Sequence, residues 1–147
     1  MSIRALEKHD YDRFMELIDG FYHSSAVLHP VEPKNYDITF TKCVEGDPYT
    51  ACLVYEEERC IKGYALLSFT YSNEVGGMVV WVEEVYVPDN YRGQGIGTKL
   101  LTYIHAHYAE TAKRFRLEVT RGNAGAIKLY ESMGYEVLDY MQMTKDL

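Results

Sequence analysis

Two adjacent carboxylates, Glu83 and Glu84, stand in an apolar run over 78–87 that leads through Pro88-Asp89-Asn90-Tyr91 into Arg92-Gly93-Gln94-Gly95-Ile96-Gly97-Thr98. A carboxylate is a ready general base, and a glycine loop that opens a helix is a cradle for phosphate. Glycine at 93, 95 and 97 lets backbone approach a ligand closely, and the first-turn N–H groups of the following helix have no partner inside it. A diphosphate-bearing cofactor with proton chemistry beside it fits this combination. Spacing then sorts the cofactors. A Walker loop needs a longer gap and then Gly-Lys-Ser/Thr, whereas Lys99 here follows Thr98 and reaches no terminal phosphate. A dinucleotide fingerprint would need glycine where Thr98 stands. Glu118 does follow the loop by about twenty residues, as that motif's ribose-binding acid would, but one strand-helix-strand unit is half of such a fold.

The remaining pattern, Arg92-x-x-Gly95-x-Gly97 after a strand ending Val85-Tyr86-Val87-Pro88, resembles the coenzyme A loop of the GCN5-related N-acetyltransferases (GNAT). A second segment is similar to the same family: Leu117-Glu118-Val119-Thr120, then Asn123 before a helix carrying Tyr130, closed by Gly134-Tyr135. The resemblance implies an acetyl-CoA co-substrate and no metal. It implies that the backbone of Val85, Tyr86 and Val87 pairs with the pantetheine arm and that Arg92, Gly93, Gln94, Gly95, Ile96, Gly97 and Thr98 hold the pyrophosphate. Asn123 and Ala126, at the start of the second helix, would also touch the cofactor. It places Glu83 where the family's base stands and Tyr130 where its acid stands.

Neighbouring strand residues face opposite ways, so one glutamate of the pair looks into a given cleft, and a β-bulge near this point would exchange their faces. Glu83 is therefore the expected base and Glu84 its alternative. The plainer reading pairs one of them with Arg92 or Arg116 and leaves the other solvated. A phenol, with a pKa near 10, can protonate a departing thiolate, which suits Tyr130. Direct transfer without an acyl-enzyme is expected, since Cys43, Cys52 and Cys60 all lie upstream of both motifs.

The family's acceptor pocket corresponds here to Phe21, Tyr22, His23, Glu32, Tyr36, Trp81 and the two glutamates. Acidic and aromatic groups favour a cation. The Glu-Glu pair ahead of an aromatic-Val pair and Tyr-Arg-Gly-x-Gly-Ile-Gly look most like the diamine and polyamine acetyltransferases, so a small primary amine, a polyamine or a lysine-like side chain is the expected acceptor. A non-catalytic acyl-CoA sensor and a transferase using another acyl group or a protein amine are the alternatives.

A chain of 147 residues, 47% hydrophobic and 25% charged, can bury a core without staples, and one domain over 1–147 is expected. A net charge of −7 argues against nucleic acid and anionic membrane as partners, and the apolar stretches fall short of a membrane span. Three cysteines without a CxxC pair, and no charged-then-apolar leader, suit a cytoplasmic protein. A homodimer is compatible with the many tyrosines. His105 and His107, two apart on a helix, point to different sides and read as solvated.

The elements that must position these groups follow from periodicity. A strand is predicted over 2–6, a helix over 10–21 with the stripe Phe14, Leu17, Ile18 and Phe21, and a loop over 23–34. A weaker helix over 35–44 and strands over 49–56, 60–71 and 78–87 come next. A helix striped by Ile96, Leu100, Leu101, Ile104 and Tyr108 follows, then a strand over 115–120, a helix capped by Asn123 with Ile127, Tyr130 and Met133 inward, and two short strands around Asp139. The order β-α-α-β-β-β-α-β-α-β-β predicts an α/β (α+β) mixed sheet with helices on both faces.

Overall fold

The computed structural model describes residues 1–147. In chain order the elements are β1 (Ser2–Ala5), α1 (Tyr11–Tyr22), α2 (Lys34–Glu45), β2 (Thr50–Glu57), β3 (Cys60–Ser72), β4 (Gly77–Tyr86), α3 (Ile96–His107), β5 (Ala112–Leu117) and α4 (Ala124–Ser132). The strands form one sheet in sequential order, antiparallel until β5, which runs parallel to β4. A parallel pair needs a crossover, and α3 supplies it.

Side chains alternate along a strand, and here both sets are apolar. Cys52, Val54, Tyr64 and Leu66 join Phe14, Leu17, Ile18, Phe21, Tyr36 and Phe40 in a core under α1 and α2. Their neighbours Leu53, Tyr55, Ala65, Leu67, Val80 and Val82 join Ile96, Leu100, Leu101 and Ile104 under α3 on the other face. A sheet covered on both sides explains why these strands read as nearly unbroken apolar runs. The stripe of α1 is buried as its spacing requires. Its entry is fixed by Asp10, 4% exposed, whose carboxylate accepts both arms of the Arg4 guanidinium at 2.8 and 3.0 Å and the Glu7 N–H at 2.8 Å. Burial pushes this carboxyl up, but the Arg4 fork and the Glu7 N–H outweigh it and hold it below the ordinary range.

Two sequence expectations are corrected. The strand predicted over 115–120 lies at Ala112–Leu117. Its start is set by the pairing of Ala112 with Met78 and its end by the last partner pair, Val82 and Leu117, so β4, not the β-branched Val119-Thr120, decides where it stops. The two final strands are absent: residues 135–147 carry no regular structure. A strand needs a paired neighbour, and this segment has none. It is fastened instead by the Tyr140 hydroxyl, which donates to Glu74 Oε2 at 2.8 Å, and leaves Val137, Met141 and Met143 exposed. No helix is long and apolar enough to cross a membrane.

Candidate active site

The strand carrying the two glutamates is irregular where they stand. Leu66 of β3 pairs with Glu84 while its neighbour Leu67 pairs with Val82, so Glu83 is the extra residue of a β-bulge. A bulge cancels the alternation of faces at one step. Both glutamates consequently reach the α1 and α2 side: Glu84 meets Tyr22 of α1 and Tyr64 of β3, and Glu83 accepts from the Ser68 hydroxyl at 2.6 Å. The expectation that only one of them can face the cleft is corrected by this bulge.

Their environments separate them. Glu84 is 6% exposed, and Tyr64 donates to its Oε1 at 2.6 Å while the Tyr22 hydroxyl donates to Oε2. Burial pushes its carboxyl up; the two phenols pull it down without fully offsetting that. Burial, and after it the Glu84 charge, push the Tyr22 and Tyr64 phenols well up, so both remain donors. Tyr22 is stacked on Tyr36 at 5.7 Å and edge-on to Phe21 at 5.0 Å, and Phe21 itself lies in the core. Glu84 is thus a buried tie between α1 and the bulge. Glu83 is exposed, held only by Ser68, and belongs to the open face. Neither is paired to Arg92 or Arg116.

Beyond the bulge the sheet opens. The β4–β5 register ends at Val82 and Leu117, yet β4 continues to Tyr86 with β3 still on its other side. Residues 83–86 therefore present backbone N–H and C=O groups without a β5 partner. An open strand edge of this kind accepts an extended amide-bearing chain as an added strand. The Tyr86 side chain turns toward α1, edge-on to Phe21 at 6.0 Å, which leaves its backbone as the part available at the opening.

The glycine loop follows. Gly93 and Gly95 have φ of +79° and +77°, the left-handed region that other residues enter only with strain, and Gly95 caps α3. The first helical bond is donated by Lys99 to Gly95 at 2.9 Å, so the N–H groups of Ile96, Gly97 and Thr98 point outward from the helix start. Gly63 makes room for this seat: a Cβ there would stand 3.0 Å from the Tyr86 carbonyl oxygen and 3.1 Å from Ile96 Cγ2. Arg92 braces the loop, donating from Nε to the Val87 carbonyl at 2.9 Å and pairing with Asp89 at 2.8 Å. Cys60, remote in sequence, lies 3.7 Å from the hydroxyl of Tyr91, the residue just before this loop.

The Asn123 side chain accepts from the Ala126 N–H at 3.2 Å and caps α4. This bond uses the Ala126 N–H. Leu129, Tyr130 and Met133 pack toward the α3 core, with Leu129 in the place expected for Ile127. Tyr130 is half-buried, its hydroxyl has no partner in the protein, and burial pushes its phenol up. Tyr135 seats it: the Tyr135 N–H donates to the Tyr130 carbonyl at 3.0 Å and the rings meet edge-on at 5.9 Å. His105 is not solvated, contrary to the sequence reading. Its ring lies 4.7 Å from Phe115, its Nε2 is 2.8 Å from the Tyr135 hydroxyl, and burial lowers its pKa. The helix turns it toward β5, which a two-residue spacing does not disclose. His23 and Glu32 stay at the exposed rim, bonded to Asp19 and Lys34.

Trp81 is the remaining expected site residue. It pairs with Ser68 of β3 and Arg116 of β5, and the Arg116 guanidinium lies 4.4 Å above its ring. Ser68 and Tyr64 were not singled out in the sequence, and Arg116 was expected as a partner of a glutamate and not of Trp81, because only strand register sets these contacts.

Residues 11–135 match the acetyltransferase (GNAT) family. The chain belongs to the GNAT family. Among curated GNAT relatives, a thialysine N-ε-acetyltransferase of Mus musculus is 36% identical over 149 residues, covering 92% of this chain and 84% of that protein. Its Sus scrofa counterpart is 36% identical over 101 residues, which are 60% of this chain and 56% of that one. A spermine/spermidine N(1)-acetyltransferase of Bacillus subtilis is 34% identical over 59 residues, 39% of each chain. These place the chain in the branch that the Glu-Glu and glycine-loop residues resemble. The GNAT fold is matched by a solved structure described as a possible acetyltransferase from Clostridium difficile 630, with a TM-score of 0.86 at 20% identity over 99% of this chain and 97% of that one.

Proposed function

We propose that the protein transfers an acetyl group from acetyl-CoA to a primary amine by direct attack within a ternary complex. The parting of β4 from β5 immediately before the glycine loop carries this reading, since it puts an open strand edge and an anion cradle in line. Acetyl-CoA supplies an activated thioester, a pantetheine arm with two amides and a pyrophosphate. Val85, Tyr86 and Val87 offer their backbone to the arm. The N–H groups at the start of α3, with Arg92, Gly93, Gln94, Gly95, Ile96, Gly97 and Thr98, receive the pyrophosphate. Asn123 and Ala126 flank it from α4.

Glu83 takes a proton from the acceptor's ammonium, directly or through water, so that the neutral amine nitrogen bonds to the thioester carbonyl carbon. The carbon–sulfur bond breaks as Tyr130 gives its phenolic proton to the sulfur, and the second proton, which the nitrogen sheds on becoming an amide, restores the phenol directly or through water. Burial keeps that phenol protonated at neutral pH, as a proton donor requires. Cys60 pairs with Glu57 and meets Tyr91, and no cysteine contacts Glu83 or Tyr130, which supports transfer without an acyl-enzyme.

Phe21 shapes the pocket from behind, while Tyr22 and Trp81 line it with Glu83, and this acidic, aromatic lining supports a cationic acceptor. The names of the thialysine and spermine/spermidine relatives point the same way. The chain is read as one transferase domain working in the cytoplasm, in keeping with three free cysteines. A homodimer is supported by the free β5 edge beside the exposed apolar residues of the tail.

Isothermal titration with acetyl-CoA, with CoA and NAD as comparators and thiol release followed on adding amines, tests the proposal. Binding with release on adding a cationic amine is expected. Binding without turnover by any amine would favour an acyl-CoA sensor, and absence of binding would overturn the reading of the loop.

A further inference from the structure

Arg116 is the one feature of the open face that acetyl transfer to a cation leaves without a task. The chain has 22 acidic residues against 15 lysines and arginines, so a partly exposed arginine has a surplus of carboxylates to pair with. Its strand neighbour Arg114 does so, at 2.7 Å from Glu74. Arg116 makes no ion pair and no side-chain hydrogen bond. Its guanidinium carbon lies over the Trp81 ring, 4.4 Å from the centroid, and both residues are half-buried. An aromatic platform under a guanidinium fixes its plane and leaves its N–H edge free, which is the arrangement that binds a carboxylate with two parallel hydrogen bonds.

Its place relative to Glu83 gives it meaning. Ser68, Trp81 and Arg116 form one row across β3, β4 and β5, and Ser68 also holds Glu83. Glu83 is two residues further along β4 than Trp81, about 6–7 Å at ~3.3 Å per residue. The pair Val82 and Leu117, just beyond this row, is the last before the strands part. An acceptor whose amine reaches Glu83 at the opening therefore extends its other end back over Trp81 to Arg116, a span that the side chain of a basic amino acid covers.

We infer that Arg116, placed over Trp81, is an anion subsite that takes a carboxylate on the acceptor, and is thereby the residue that selects an ω-amino acid, the kind of acceptor for which the thialysine relatives are named, over a diamine or polyamine. This rests on the proposed acetyl transfer for its role, but not for its existence as a binding site. It runs against the general field of the molecule, because a net charge of −7 by itself favours a dication over a zwitterionic amino acid.

L-lysine and cadaverine differ only by the carboxylate, and ornithine and putrescine form a second such pair. Trp81 is the only tryptophan in the chain, so its emission reports directly on the subsite. Titration of the full chain with each pair should change Trp81 emission with the amino acids at concentrations roughly tenfold or more below those needed for the diamines. Arg116→Gln should abolish that preference and Arg116→Lys, which keeps charge without the fork, should restore part of it. Equal binding of lysine and cadaverine by the wild-type protein, or an unchanged preference in Arg116→Gln variants that still bind acetyl-CoA, would overturn the inference. Should lysine bind with preference while no acceptor releases thiol from acetyl-CoA, the anion subsite stands and the transfer reaction falls.

Discussion

Tyr22→Phe removes one of the two phenolic donors on the buried Glu84 carboxylate while keeping the ring on Tyr36 and Phe21. Glu84 is 6% exposed and no cation faces it, so nothing replaces the lost hydrogen bond. A hydrogen bond to an ionised group contributes about 1.5–3 kcal/mol, and one between neutral groups about 1 kcal/mol. Burial already holds the Glu84 pKa above that of an unfolded glutamate, near 4.3, and loss of a donor raises it further. A group with a raised folded pKa stabilises the fold fully below its unfolded pKa and loses that contribution as pH rises through the folded one. The variant's deficit should therefore be smallest at about pH 4–5, near 1 kcal/mol, and grow with rising pH to about 1.5–3 kcal/mol once Glu84 is ionised in the wild type. Urea unfolding followed by Trp81 emission at several pH values measures this. A deficit that is flat across pH, or that shrinks as pH rises, would refute the account of Glu84 as a tie held by its two phenols.

Other outcomes follow from the same geometry. Tyr130→Phe should lower kcat on the order of 10²-fold while leaving the acetyl-CoA KM nearly unchanged, as loss of a general acid does, and steady-state kinetics with a fixed amine decides it. In the wild type, burial of Tyr130 should delay the alkaline fall in kcat to above about pH 10, and Tyr135→Ala, which uncovers the ring, should bring that limb to lower pH in a pH–rate profile. Gly95→Ala forces a Cβ into a φ of +77° at the start of α3, so acetyl-CoA affinity by calorimetry should fall together with about 1 kcal/mol or more of stability.

The sequence by itself determined the covered sheet, the α1 stripe, the glycine loop ahead of α3 and the Asn123 cap, because each is a local pattern whose period or turn chemistry allows few conformations. It also determined the family, through two motifs spaced as one site. Only the tertiary structure decided where the two glutamates stand. A single extra residue in β4 puts both on one face, and Ser68, Tyr64 and Tyr22, from elements far apart in sequence, then give one an exposed place and the other a buried one. It likewise decided that β5 stops at Leu117, that the tail finds no strand to pair with, and that His105 turns inward onto Phe115. Strand register and the approach of helices are set by the sum of distant contacts, and a local window of residues does not contain that sum. The stacking of Arg116 on Trp81 belongs to the same class: two ordinary strand residues become a subsite only because β4 and β5 run parallel in that register.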